Sequence, residues 1–387
     1  MAKLRAGVVG KNYSGKFLTP CLRALNDYEV SAICTAHEGT ARQAAKDFDI
    51  GKAYWSSKDF VADPEIDVIV AGTKPSVRQD IVLDALSAGK HVFSCIPFAT
   101  SEAKARELCD VARAKKLVGV VDAQWRWVPA IRFMKEIYEA GGIGEFWTAS
   151  IQLYLSLWEK DGARYTECSW SGLTDPYPWL SEADSGGSAW RNFGSHSFLN
   201  LMYLFGEIEE VVGATKTFLK EMTLPDGSTV RPETPDFGWA LVRFKNGGIA
   251  NVNVSWAAAD APGYRLDVYG SKGRMLAEEG HFCGAGARLY VGGVTPPEEF
   301  AGRNGDWVEI PDRFWEVEGR VTRGDPTTPY RAMFSDMARA IRSGVAGSPS
   351  FAEAYHAHCA VEALVRSAET RRWVTVAEMA DAGVQRR

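Results

Sequence analysis

The feature that most restricts this chain is a rhythm in its first third. Short, nearly continuous apolar stretches alternate with segments of helical spacing: LRAGVVG at 4–10, VSAIC at 30–34, IDVIVAG at 66–72, HVFSC at 91–95 and VGVVDA at 118–123, with helical patterns over 16–26, 40–48, 77–88 and 101–115 between them. A strand that is apolar on both sides needs cover on both faces, which a parallel sheet flanked by helices supplies. The repeated unit predicts an α/β domain with a Rossmann-type parallel sheet over residues 1–123. Ligands of such sheets lie at the carboxyl ends of the strands.

The first strand runs into Gly10-Lys11-Asn12-Tyr13-Ser14-Gly15, and strand, tight turn, helix is the frame of a dinucleotide phosphate site. The middle glycine of a GxGxxG pattern is Asn12 here. Asparagine tolerates positive φ, so the turn survives, but its side chain crowds the pyrophosphate approach. An NAD site places Asp or Glu at the end of the second strand to hold the ribose hydroxyls. This chain has Thr35, then Ala36 and His37, with Arg42 one turn into the next helix. Losing the carboxylate removes its repulsion of a 2′-phosphate, and His37 and Arg42 can approach one, so NADP is expected, with NAD as the other possibility.

Beyond Asp122 the pattern changes. A helix over 129–139 precedes long strand-like runs at 145–155, 208–219, 236–245, 248–257, 264–270 and 273–278, linked by hairpin turns such as KNGG and GSKG. This reads as a C-terminal α+β domain over 124–387 with a large, mainly antiparallel sheet, closed by helices at 330–343 and 351–371. Residues 156–190 and 292–329 read as long irregular stretches over the site or at a subunit contact. At 387 residues two domains are the natural division. A net charge of −5 and the lack of a basic, aromatic-interleaved stripe exclude a nucleic-acid partner. Without a signal peptide pattern or a membrane-length apolar run, a cytoplasmic protein is expected. Seven cysteines without CxxC spacing read as reduced and mostly buried.

Over nearly its whole length the chain resembles the glucose-fructose oxidoreductase, inositol dehydrogenase and rhizopine-catabolism oxidoreductase family. The likeness is carried by the first-strand turn, GTKPSVRQDIVLDALSAGKHVFSCIPFATS at 72–101, QWRWVPA at 124–130, GGIGEF at 141–146 and SGGSAWRNFGSHSFLNLMYLFG at 185–206. The resemblance implies pyridine-nucleotide oxidation or reduction of sugars, cyclitols and similar hydroxylated molecules, and association into a homodimer or homotetramer through the C-terminal sheet. It also implies Glu-Lys-Pro after AGKHV, where this chain has Cys95-Ile96-Pro97, so the lysine beside the nicotinamide is absent. Where the family carries Asp, His and Asp at four-residue intervals, this chain has Asn192, His196 and Asn200.

That spacing sets the three side chains one turn apart on a common helix face. His196 has a pKa range suited to moving one proton near neutrality, although without a carboxylate partner it is a weaker base; the alternative is a satisfied helix histidine. Lys74, at the carboxyl edge of the sheet in Thr73-Lys74-Pro75, is the candidate to replace the missing lysine, unless it and Arg78 are merely solvated. The candidate catalytic residues are therefore His196, Lys74 and Asn192. Candidate cofactor contacts are Gly10, Asn12, Tyr13, Ser14, Gly15, Thr35, His37, Arg42, Thr73, Pro75, Cys95 and Pro97. Among 13 tryptophans, Trp125, Trp127, Trp158, Trp170, Trp179 and Trp190 cluster near the expected nicotinamide; with Arg126, Tyr154, Tyr165, Arg191 and Asn192 they suggest a substrate lining, for which Trp125, Arg126, Trp127, Tyr154, Trp158, Arg191 and Asn192 are the candidates. His356 and His358 in EAYHAHC diverge on a helix, so no metal site is expected.

The function expected from these residues is hydride transfer between a nicotinamide and a carbinol or carbonyl of a sugar-like, cyclitol-like or aromatic-bearing small molecule. Transient oxidation within an epimerase or lyase, and nucleotide binding without turnover, remain as alternatives.

Overall fold

The computed structural model describes residues 2–157, 178–223, 227–279, 286–293 and 305–385. Six parallel strands, β1 (Leu4–Val9), β2 (Tyr28–Cys34), β3 (Lys52–Tyr54), β4 (Val68–Ala71), β5 (His91–Ser94) and β6 (Gly119–Val121), form one sheet in the order β3-β2-β1-β4-β5-β6. The order reverses between β1 and β4. That reversal opens a crevice at the carboxyl ends, with one mononucleotide-binding half on each side. The side chains of β4 are buried on both faces, which explains the uninterrupted VIVA. Helices α1 (Thr19–Arg23), α2 (Glu38–Asp47), α3 (Ser57–Ala62), α4 (Pro75–Ser87) and α5 (Glu102–Ala114) fill the crossovers.

The second sheet has nine strands. They are β7 (Phe146–Tyr154), β8 (Ile208–Lys216), β11 (Phe237–Phe244), β12 (Ile249–Ser255), β13 (Gly263–Gly270), β14 (Arg274–Glu279), β15 (Arg288–Gly292), β16 (Asp306–Val308) and β19 (Val374–Thr375). Their order is β16-β15-β14-β13-β7-β12-β11-β8-β19. Every pairing is antiparallel except β7 with β12. Two small hairpins, β9 (Met222–Thr223) with β10 (Thr229–Val230) and β17 (Glu316–Val317) with β18 (Arg320–Val321), stand apart from it. Helices α6 (Pro129–Glu139), α7 (Ser195–Phe205), α8 (Asp312–Trp315), α9 (Thr328–Ser343), α10 (Phe351–Thr370) and α11 (Val376–Gln385) complete the chain.

Two late elements return to the nucleotide sheet. Tyr330, Met333, Phe334 and Met337 of α9 share one apolar core with Val8, Ile33 and Phe93 of the first sheet, and the Tyr28 hydroxyl donates to the Phe334 carbonyl at 2.8 Å. The Val121 amide donates to Pro349 O at 2.9 Å, just before α10. Chain order and packing part company here: α9 follows residue 123 in sequence but covers a face of the first sheet. Apolar spacing reveals that a helix has a buried stripe, not which sheet the stripe meets.

Candidate active site

The phosphate turn is built differently from the expectation. Gly10 has φ +94°, and a Cβ there would lie 3.0 Å from Thr73 Cγ2, so the first glycine is required by both conformation and space. Residues Lys11–Leu18 then form a π-helical segment that runs into α1. Asn12 lies inside it and is not among the positive-φ residues, so its tolerance of that region is not what preserves the turn. Gly15 keeps the close-packing role of the last glycine: a Cβ would come within 2.5 Å of the Phe48 ring.

On the β1–β3 side of the crevice the groups chosen for a 2′-phosphate are placed unequally. Thr35 Oγ1 lies 2.7 Å from Thr40 Oγ1 and donates to His37 O at 3.2 Å, tying the end of β2 to the first turn of α2. His37 is the exposed residue that precedes α2. Arg42 is committed elsewhere: Nε donates to Glu38 Oε1 at 2.9 Å and the guanidinium lies 5.2 Å from the Trp55 ring centroid. Sequence spacing put Arg42 on the right helix but missed the carboxylate one turn before it. A cleft of about 250 Å³ between the turn and α2 is lined by Lys11, Asn12, Lys16, Gly39 and Thr40, among others. Lys11 and Lys16 are thus cations the sequence reading passed over; their positions, inside the fingerprint and directly after it, were the available signal.

The β4–β6 side is buried and polar. The Tyr13 hydroxyl donates to Asp122 Oδ2 at 2.8 Å, and the Cys95 thiol to the same oxygen at 3.5 Å. Asp122, directly after β6, is 4% exposed, and burial pushes its carboxyl up to about 6 against the lowering effect of those two donors. Burial and the neighbouring Asp122 hold the Cys95 thiol well above its ordinary range, so it is no nucleophile. Arg78 is not solvated. It is 1% exposed, with Nε donating to Ser94 Oγ at 3.1 Å and its terminal nitrogens bonded to Thr73 O and Pro97 O. It therefore fixes the loops after β4 and β5 together, beside buried Ile96. Burial draws its pKa down to about 10. Lys74 is engaged with residues of the second domain: its Nζ donates to Ser185 Oγ at 3.1 Å and lies 3.5 Å from Glu182 Oε2. Pro75 begins α4 beside it, and a Cβ on Gly186 would meet Thr100 and Pro75, so residues 182–187 cap these two loops.

From the second domain, a π-helical segment (Trp190–Gly194) leads into α7, which packs on the 3-10 turn Gln124–Trp127 after β6. Asn192 is partly exposed, whereas His196 is 6% exposed. Burial lowers the His196 pKa to about 3, correcting the expectation of a group that titrates near neutrality. Asn200 is held away by donating to the Tyr264 hydroxyl at 2.6 Å.

Much of the expected substrate lining is structural. Trp125 is buried and stacked 3.8 Å from Tyr264 between ring centroids. Arg126 is buried, with Nη1 2.7 Å from Glu353 Oε1 and the guanidinium over Tyr203. Trp127 Nε1 donates to Ser348 O at 3.2 Å. Arg191 turns from the site to a two-pronged pair with Glu362 at 2.7 and 2.9 Å, and Trp190 is wholly buried, donating to Val361 O. These large side chains were read by type, but their partners lie far along the chain, on α7, β13, α10 and the segment before α10, out of reach of local pattern. Tyr154, partly exposed at the end of β7, and Asn192 keep an open aspect. Trp158 and Trp170 lie outside the described residues. His356 bonds to Ile208 O at 2.9 Å, and no group of three or more metal-ligating side chains occurs among the described residues.

The residues at the crevice fit a dinucleotide. Four buried side-chain atoms at this edge have no hydrogen-bond partner among the described residues: Asn12 Oδ1, Ser14 Oγ, Thr73 Oγ1 and Asp122 Oδ1. Buried polar atoms are normally paired. Two of these are hydroxyls able to donate to pyrophosphate oxygens, and two are acceptors for ligand N–H or O–H groups. A parallel sheet with its reversal between β1 and β4, this turn and this set of polar atoms define a pyridine-nucleotide oxidoreductase with an appended substrate domain.

The comparisons make the class specific. Residues 4–122 match the family described as oxidoreductase, NAD-binding Rossmann fold, and 131–276 match the GFO/IDH/MocA C-terminal domain. The chain belongs to the GFO/IDH/MocA oxidoreductase family. Levoglucosan dehydrogenase of Pseudarthrobacter phenanthrenivorans is 24% identical, covering 98% of this chain and 100% of the relative. Myo-inositol 2-dehydrogenase of Thermotoga maritima is 23% identical over 71% of this chain and 75% of its own. A solved levoglucosan dehydrogenase complex with NADH and levoglucosan superimposes with a TM-score of 0.81 at 21% identity, covering 97% of this chain and all of that one. No helix among the described residues is long and apolar enough to cross a membrane.

Proposed function

We propose that this enzyme oxidises a carbinol of a cyclic, polyhydroxylated small molecule, passing hydride to a bound nicotinamide and the hydroxyl proton to His196. The observation that carries this reading is the set of partnerless polar atoms at the crevice. The nicotinamide supplies the hydride acceptor. Ser14 and Thr73 donate toward the pyrophosphate, Arg78 holds the loops beneath the ring, and Asn192 and Tyr154 orient substrate hydroxyls. His196 is neutral at working pH. It is a weak base, yet sufficient: as hydride departs, the carbinol oxygen becomes that of a protonated carbonyl, far more acidic than even this imidazolium.

The relatives that act on levoglucosan and myo-inositol support a ring polyol as substrate. For the cofactor, NADP is favoured by the absence of a carboxylate at Thr35 and by Lys11 and Lys16 beside the first turn of α2, with NAD as the alternative. A homodimer is the assembly we favour, since Leu241, Ile249 and Tyr269 stand exposed on the face of the second sheet opposite its core. The test is appearance of reduced-nicotinamide absorbance with a panel of anhydrosugars, cyclitols and free sugars, alongside calorimetry of NADPH and NADH. Failure to bind either nucleotide at millimolar concentration overturns the reading.

A further inference from the structure

The sheet order gives each mononucleotide of the cofactor its own half of the crevice: adenosine over β1–β3, the nicotinamide nucleoside over β4–β6. Asp122 lies at the end of β6, on the second half. The Tyr13 side chain starts in the phosphate turn after β1, passes Gly72 just after β4, where an added Cβ would lie 3.4 Å from its Cδ1, and delivers its hydroxyl to Asp122 Oδ2 at 2.8 Å. Cys95, at the end of β5, donates to the same oxygen. One carboxylate oxygen is thus held from two sides. The other, Oδ1, is buried and has no partner among the described residues, an arrangement costly unless a donor arrives from elsewhere. The bonds of Arg78 go to Ser94, Thr73 and Pro97, and none reaches Oδ1 of Asp122.

Resting on the nucleotide reading above, we propose that Asp122 is the residue that recognises the nicotinamide itself, with Oδ1 accepting a hydrogen bond from the carboxamide N–H2 while Tyr13 and Cys95 fix the carboxylate from behind. This makes Asp122 a cofactor-binding residue that also links ring recognition to the phosphate turn. A charged acceptor selects the amide over an acid at that ring position, because a nicotinic acid would set carboxylate against carboxylate.

The experiment is calorimetry of the full chain with three probes: NADH or NADPH, whichever binds more tightly; ADP-ribose, which lacks the ring; and nicotinic acid adenine dinucleotide, compared with NAD, which carries a carboxylate for the amide. In the wild type the acid analogue should bind at least tenfold more weakly than NAD. Asp122→Asn should weaken the reduced cofactor about tenfold or more, leave ADP-ribose within about twofold, and erase the discrimination against the acid. Unchanged reduced-cofactor affinity in the variant overturns the proposal while leaving the nucleotide reading intact. Equal loss for ADP-ribose also overturns it, assigning Asp122 to the turn alone. Absence of any nucleotide binding to the wild type overturns both.

A second measurement needs no variant. The groups facing the carboxylate are Tyr13 from the turn, Cys95 from β5 and Arg78 from α4, with Tyr330 of α9 beyond Tyr13. Tyr13 and Cys95 are pushed far upward, and Arg78 stays cationic to about pH 10. Of these only Asp122 changes charge between pH 5 and 8, near 6. Reduced-cofactor affinity should fall below that pH while ADP-ribose affinity holds; parallel curves for the two probes overturn the assignment.

Discussion

The two halves of the crevice are built by opposite means. The β1–β3 half presents the exposed Lys11 and His37, and an arginine already paired with Glu38. The β4–β6 half is a largely buried knot of Tyr13, Cys95, Arg78 and Asp122, and residues 182–187 lie against the loops beside it. Exposed charges are screened and exchange partners at little cost. Buried ones are fixed, and each change there leaves something unsatisfied. Substitutions in the buried half should therefore have large and specific effects, and those in the exposed half small ones.

The largest effect is expected at His196. Replacing it with alanine should lower kcat by roughly 100-fold or more, with nucleotide Kd within about twofold. Because burial sets its pKa to about 3, the imidazole is uncharged from pH 5 to 9 and contributes no inflection to the pH profile there. Steady-state kinetics on an identified substrate checks both points, and a kcat within a factor of about two removes His196 from proton transfer.

The next concerns the stability of the unliganded protein. Asp122 has its folded pKa raised from 3.8 to about 6, so the folded state binds the proton more tightly than the unfolded chain. The cost of burying the carboxylate is fully present above pH 6 and is relieved as pH falls from 6 toward 3.8. Asp122→Asn should then stabilise the apo protein at pH 7 by on the order of 1–3 kcal/mol, with the gain vanishing below about pH 4. Urea unfolding of both forms at pH 7 and pH 4 measures it. A variant less stable at pH 7 would mean that Arg78 compensates the charge after all.

The same contrast explains what could be read from the sequence. The alternation of apolar strands and helices announced five of the six strands of the first sheet, because a strand buried on both faces marks itself by composition; the short, half-buried edge strand β3 carries no such mark. Hairpin-linked runs announced six strands of the second sheet to within a few residues at their ends, but not β15, β16 or β19, and the stretch 292–329 expected to be irregular holds β16, α8 and the β17–β18 hairpin. The exposed half of the site was legible as residue types near a fingerprint, though Arg42 shows that type does not set aim. The buried half was not legible as a unit. Tyr13 and Asp122 are 109 positions apart, and neither belongs to a pattern that names the other. Arg78 was expected in solvent because arginines mostly are. Trp125 and Arg126 have the chemistry of a binding site but spend it on Tyr264 and Glu353.

A smaller effect belongs to the cleft between the turn and α2. Changing Lys11 and Lys16 together to alanine should weaken NADPH about tenfold and NADH by no more than about twofold, since two partly screened cations act on one added phosphate. The difference should shrink as salt is raised. Equal losses for both nucleotides would move these lysines from the 2′-phosphate to the pyrophosphate.

Least should happen at Arg42. Its side chain is two-thirds exposed, and its pair with Glu38 at 2.8 Å spans one turn of α2, a geometry contributing a few tenths of a kcal/mol. Arg42→Ala should leave both nucleotide affinities within about twofold and stability within about 0.5 kcal/mol. The weakness of the pair cuts both ways, because a guanidinium so loosely held can leave Glu38 for a phosphate at small expense. A loss of fivefold or more confined to NADPH would show that it does so. The exposed half would then hold its ligand by rearrangement on binding, whereas the buried half is set beforehand, and comparison of Arg42→Ala with Glu38→Gln would separate the two: freeing the arginine should strengthen NADPH if it swings, and change nothing if it stays over Trp55.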